Sequence, residues 1–176
     1  MAENLDREMR QGEFVTGLIV YFYDSARKEL VARPVPFAVI AGQDCDLLQD
    51  FDNREGGGAG VIASILIVEA EPAIEARGKI GGSDLYKRVV QNKDERYQFV
   101  QACAPDRDLV GDGLPDLVLD FRSLTSIPAV ELYNQLKAAS LLRRTRLDTP
   151  YREHLQLRLA NYLSRVAVPV PHRPQK

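Results

Sequence analysis

Short apolar runs alternate along the chain with polar breaks marked by glycine or proline, and the runs set the order of elements. Residues 14–23 are rich in β-branched and aromatic side chains, which predicts a strand. Asp24-Ser25 and the charged Arg27-Lys28-Glu29 mark a turn, and residues 30–33 read as a short return strand. Pro34 and Pro36 put that stretch at a strand start or a sheet edge. The apolar run 35–41 reads as a buried strand that delivers Asp44, Cys45 and Asp46 to its end. Residues 50–60 are acidic and then glycine-rich, the pattern of a mobile loop. Residues 61–70, VIASILIVEA, are the most apolar segment, and their length and β-branching favour a central strand.

The second half follows the same logic. Residues 72–82 read as a connection, after which Ser83 caps a short helix over 84–91. RYQFVQA, 96–102, alternates like a half-buried strand. A second acidic loop spans 106–116, a strand 117–121, and Pro128 opens a helix that runs to Lys137. The last element is a helix with Thr149 as N-cap and Pro150 in its first turn. Tyr151, Leu155, Leu159, Tyr162, Leu163 and Val166 fall on one side of it. Residues 1–10 read as a short helix or loose arm. The expected division is one β-barrel domain over 1–168, with two or three helices, and a disordered proline-rich tail over 169–176.

Composition narrows the class. The 176 residues are 45% hydrophobic and 27% charged, as in an ordinary globular domain with a core of its own. A net charge of −2 gives no global pull toward nucleic acid. Cys45 and Cys103 are far apart and form no C-x-x-C, so neither a disulfide framework nor a zinc ribbon is indicated. The N-terminal residues are charged with no apolar signal core, and no run is long enough to span a membrane. The expectation is a cytoplasmic chain with no membrane partner.

Three stretches carry a family resemblance. GEFVTGLIVYFY, RPVPFAVIAGQD and the closing VLDFRSLTSIP with RRTRL and an amphipathic helix resemble the MazF/PemK-like family of small β-barrel toxins. The resemblance implies an α+β fold: a small, bent antiparallel β-barrel with the C-terminal amphipathic helix packed on it. It also implies a bacterial toxin–antitoxin or phage-defence setting, a partner protein encoded nearby, RNA as a second possible partner and a possible homodimer. In that family the Arg-Pro arginine helps to cleave RNA, and it maps onto Arg33 as the catalytic candidate. The family's companion Ser or Thr precedes or opens the next apolar strand. Here that region reads GGGAGVIAS, with no hydroxyl before Ser64. The function expected is therefore a non-catalytic or weakly active binding module, with a metal-independent endoribonuclease of the family's type as the alternative. QDCDL, PYREHL and RVAVP also resemble a group of bacterial proteins to which no activity attaches.

Candidate chemistry sits in two clusters. On a continued strand Asp44 and Asp46 share a side, with Cys45 opposite. Two such carboxylates repel unless one takes up a proton or a cation lies between them; they are read as turn caps that bond backbone amides and no metal is expected, with ligation of a magnesium ion as the alternative. Asp44, Asp46, Asp50, Asp52 and Glu55 fall at calcium-loop spacings, but Gln49 stands where that loop needs Gly. Cys45 would be a nucleophile with His154 as its base, or a small buried residue; flanking carboxylates disfavour a thiolate. His154, Arg158, Asn161 and Arg165 form one polar stripe on the last helix. With Arg143, Arg144 and Arg146 it would make a basic groove for RNA phosphates or an acidic peptide, or an ordinary solvated flank. Arg152 is placed to reach Asp44 or Asp46 and join the two clusters. GGGAG lacks the Lys-Ser/Thr ending of a phosphate loop, and no cofactor is expected.

Overall fold

The computed structural model describes residues 8–164, so Arg165, Val166 and the proline-rich tail lie outside the described residues. Six strands form one antiparallel sheet: β1 (Glu13–Asp24), β2 (Glu29–Ile40), β3 (Ser64–Pro72), β4 (Tyr97–Val100), β5 (Leu117–Pro128) and β6 (Leu142–Arg146). Their order in the sheet is β4-β5-β3-β2-β1-β6. Five α-helices accompany them among the described residues: α1 (Asp44–Glu55), α2 (Ala73–Lys79), α3 (Ser83–Val90), α4 (Ala129–Lys137) and α5 (Tyr151–Leu163). The fold is α+β, and the sheet ends at β4 and β6 rather than closing into the expected barrel.

Both faces of the sheet are covered, which explains strands apolar at consecutive positions. Val15, Ala38, Ile40 and Ile67 pack with Leu47 of α1 and Leu132 of α4. Their chain neighbours Phe14, Val39 and Val68 pack instead with Leu155 and Leu159 of α5. A third cluster seats α2 and α3 against Tyr97 and Val118. The first ribbon changes face partway. Val15 and Leu18 lie in the same cluster although three residues apart, and Gly17 between them has φ +76. A Cβ on Gly17 would come within 2.4 Å of the Ser140 carbonyl oxygen, so close backbone approach requires glycine there.

Several expected boundaries change. Residues 30–41 form one strand, β2, with no break. It meets β3 only from Phe37 to Ile40, so its proline-bearing first half has a neighbour on one side only. Asp44, Cys45 and Asp46 open helix α1 instead of ending a strand. Acidic residues in a first turn favour the positive end of the helix, and Gly56 and Gly57 stop it. Asp50–Glu55, expected in a loop, is therefore the second half of that helix. The glycine segment after it is tied down by Asp50, whose carboxylate accepts from the amides of Val61 and Ile62 at 2.7 and 3.0 Å. Helix α2 replaces an expected connection, and the basic segment with Arg143, Arg144 and Arg146 forms strand β6.

Candidate functional site

Arg33 lies on β2 and is not free. Its two terminal nitrogens donate to the two carboxylate oxygens of Glu69 on β3, at 2.8 and 2.5 Å. Thr125 on β5 adds a hydroxyl donor to the same carboxylate at 3.0 Å. The Glu69 carboxyl is held below its usual range, first by the Arg33 hydrogen bond, and Arg33 is raised by the same contact. Arg33 and Thr125 line a cleft of about 730 Å³ whose other wall includes Tyr21, Phe22 and Leu30. Glu69 was missed by sequence reasoning. Its signal was a lone carboxylate in the most apolar segment, where an unpaired charge is not tolerated.

Asp44 is the hub of a second cluster. Its Oδ1 accepts from the Gln11 amide at 2.8 Å; its Oδ2 accepts from Arg146 at 2.6 Å and Arg152 at 3.3 Å. The expected reach of Arg152 to Asp44 is present, with Arg146 as the closer partner. Asp46 does not share this site: two positions along a helix are about 200° apart, so the two carboxylates do not face one cation. No group of three or more His, Cys, Asp or Glu among the described residues is arranged to hold a metal ion. Cys45 is exposed, with its thiol nearest Gln43 Oε1 and Asp46 Oδ1 at 3.7 and 3.6 Å, rather than paired with His154. His154 is exposed on α5.

The arginines expected to form a basic groove go elsewhere. Arg143 is buried in an ion pair with Glu13 and donates to the Glu8 carbonyl. Arg144 is buried against Asp108, with bonds of 2.9 and 2.6 Å, and donates to the Gly113 carbonyl at 2.8 Å. The Arg144 guanidinium and loop amides hold the Asp108 carboxyl down at about 2. Arg158 turns back onto the carbonyls of Asn92 and Tyr97, each at 2.6 Å, and of Asp94. Burial lowers its pKa. Alternation along β6 sends Arg143 and Arg144 to opposite faces, one to each carboxylate, so they do not line one groove.

What the geometry brings together is thus a cleft lined by Arg33 and Thr125, which share Glu69 as a partner, and by the exposed aromatic residues Tyr21 and Phe22. Tyr21, Phe22 and Tyr23 are 55%, 46% and 62% exposed, and Leu30 is 72% exposed. Comparison with family models, curated proteins and solved structures finds no match. Among the described residues no helix is long and apolar enough to cross a membrane.

Proposed function

We propose that this chain is a binding module that engages a partner protein through the outer end of the β1–β2 ribbon. The observation that carries this reading is the cluster of Tyr21, Phe22, Tyr23 and Leu30, all exposed, on and beside the 730 Å³ cleft. Exposed apolar side chains gathered on one end of a ribbon mark interaction sites, and aromatic side chains are the usual anchors. Arg143 and Arg144 of the expected basic groove are spent inside the fold, which favours a protein over a phosphate backbone as the main partner. The setting we infer is a bacterial toxin–antitoxin or phage-defence system in the cytoplasm, on the resemblance to the MazF/PemK-like toxins. An antiparallel sheet of six strands followed by a C-terminal helix is the part of the architecture that supports this reading.

The test is co-purification from the native host. Wild-type protein is expected to retain a stoichiometric partner that the combined variant Tyr21→Ser, Phe22→Ser, Tyr23→Ser releases, with its melting temperature unchanged. A partner held equally by both proteins would sink the reading. Loss of self-association in the same variant would instead make the partner a second copy of this chain.

A second reading, the metal-independent endoribonuclease, is favoured by one observation: Arg33 and Thr125, both bonded to Glu69, line the cleft. In that reading Glu69 would take the proton of a ribose 2′-hydroxyl as its oxygen attacks the adjacent phosphate. The 5′-oxygen would leave, and Arg33 would stabilise the charged phosphorane. Glu69 already engages both terminal nitrogens of Arg33, so little or no cutting of single-stranded RNA is expected in a chelator. Robust cutting abolished by Arg33→Ala would reverse the ranking.

A further inference from the structure

We propose that the partner engaged by the ribbon delivers an extended, basic segment that joins the sheet as an added strand along the free edge of β1. This rests on the partner-binding reading above and deepens it, by naming the form and charge of what the ribbon takes up.

Ile19 shows which way the residues of β1 face. Its amide and its carbonyl both bond Gln135 of α4, at 2.9 and 2.7 Å, on the side away from β2. Pro34, its opposite in β2, has no N–H to offer it. Facing alternates along an antiparallel pair, and the register with β2 runs unbroken from Leu18 to Asp24. Val20, Phe22 and Asp24 therefore bond β2, whereas Tyr21 and Tyr23 turn N–H and C=O outward. The Asp24 carbonyl, which accepts from the Lys28 amide across the turn at 2.7 Å, agrees with this parity.

Other edges of the sheet are covered by side chains or loops. On β4, Asn92 accepts from the Phe99 amide at 2.7 Å and donates to the Phe99 carbonyl at 3.0 Å, and Arg158 donates to the Tyr97 carbonyl at 2.6 Å. On β6 the Arg144 carbonyl accepts from the Leu109 amide at 2.8 Å. On β2 the outward-facing Pro34 removes a donor from the edge. On β1 the cover stops with Gln135. Pairing with β6 has ended at Thr16, and nothing among the described residues bonds the outward groups of Tyr21 and Tyr23. Both residues are more than half exposed. An open edge of this kind takes up an extended peptide, whose main chain supplies affinity and whose alternate side chains supply selectivity.

Charge selects the occupant. Directly opposed residues share a face, so peptide side chains opposite Val20 and Phe22 enter the 730 Å³ cleft, where Ile127 and Val130 are apolar lining. The ionised groups of that cleft are Arg33, held by Glu69, and Glu131, which forms no ion pair among the described residues. Peptide side chains opposite Tyr21 and Tyr23 lie beside exposed phenol rings, which attract a cation. A basic residue suits the Glu131 carboxylate and the rings alike; an acidic one suits neither. A second copy of this chain fits less well. Paired about Phe22, it would set its own Asp24 opposite Val20, in the cleft that already holds Glu131.

The probe is acetyl-Val-Lys-Val-Lys-Lys-amide, added to the full chain while backbone amide signals are followed by NMR. In the antiparallel register its central valine lies opposite Phe22 and its last lysine opposite Val20. Saturable shifts and slowed hydrogen exchange are expected at the Tyr21 and Tyr23 amides, with Phe22 exchange unchanged. N-methylation of the second and fourth peptide residues keeps every side chain and removes two donors, so it should weaken binding about tenfold or more. The counterpart with glutamate for lysine should bind more weakly, and Glu131→Gln should narrow that difference. Unprotected Tyr21 and Tyr23 amides, equal binding of the methylated peptide or a preference for the glutamate peptide each overturn the proposal. So does protection that grows with protein concentration in the absence of peptide, which would assign the edge to a second copy. If the peptide fails while the triple serine variant still releases a co-purified partner, strand addition falls and the partner-binding reading stands.

Discussion

The side-chain amide of Gln135 stands in for a missing strand beside Ile19. Its Oε1 accepts from the Ile19 amide at 2.9 Å and its Nε2 donates to the Ile19 carbonyl at 2.7 Å. Pairing of β6 with β1 has ended by then, its last registered pair being Thr16 with Leu142. Helix α4 thus satisfies backbone groups that the short edge strand leaves behind. Gln135→Leu removes both bonds and strands two backbone groups, so urea denaturation should show a loss of about 1–3 kcal/mol. A loss under about 0.5 kcal/mol would mean that water replaces the amide at no cost.

Gly17→Ala should be more damaging than its size suggests. The added methyl would meet the Ser140 carbonyl oxygen at 2.4 Å, at a residue whose φ is already +76. Strain and displacement together should cost about 2 kcal/mol or more. A melting temperature equal to wild type would show that the turn after α4 moves freely.

Asp108 makes the protein acid-sensitive in a defined window. Its folded pKa is lowered from 3.8 to about 2, so its contribution is full above about 4 and is lost as pH falls toward 2. The shift corresponds to about 2 kcal/mol. Stability measured across that window should fall less steeply in Asp108→Asn than in wild type, although the variant starts lower because Arg144 loses its partner. Parallel curves would place the titrating group elsewhere.

On α5 the buried face is narrower than its apolar spacing implies. Leu155 and Leu159 are buried, whereas Tyr151 and Leu163 are exposed. Leu159→Ala should cost about 2–5 kcal/mol, and Leu163→Ala should stay within about 0.5 kcal/mol of wild type. Equal losses at both positions would show that the helix packs over a wider face.

The Asp44 cluster should act as a modest clamp between α1, β6 and α5. Arg146 and Arg152 both donate to one carboxylate oxygen that is partly open to solvent. A double-mutant cycle on Asp44 and Arg152 should return a coupling of about 1 kcal/mol or less. A coupling well above that would mean the pair is more deeply desolvated than its exposure indicates.

Local pattern was enough for the elements whose inward faces are apolar. The strands over 14–23, 96–102 and 117–121 carry β-branched and aromatic residues, and β1, β4 and β5 lie where those runs are. The strand expected over 61–70 starts a few residues later, as β3. Helices α3, α4 and α5 begin within a residue or two of Ser83, Pro128 and Thr149, although Ser83 and Thr149 do not cap them: Gly82 and Pro150 stand at those positions. Helix α1 gave no such pattern, because its inward positions include Asp50 and Arg54, an ion pair, alongside Leu47 and Phe51. The glycine at position 60 has its reason there too: a Cβ would run into Arg54 and Asp50.

Three arginines in five residues made β6 look like part of a basic groove for an anion. Only the folded chain supplies the partners, Glu13 and Asp108, which lie 130 and 36 residues away from Arg143 and Arg144. The same holds for Arg33, whose carboxylate lies 36 residues along the chain, and for Asp44, whose arginines lie more than 100 residues away. Hydrophobic periodicity is a property of neighbouring residues, so the chain's own order determines where strands and most helices form. Which charge meets which is decided by burial at long sequence separation: the sheet brings distant side chains together, and a charge taken out of water must find its opposite wherever the fold has put it.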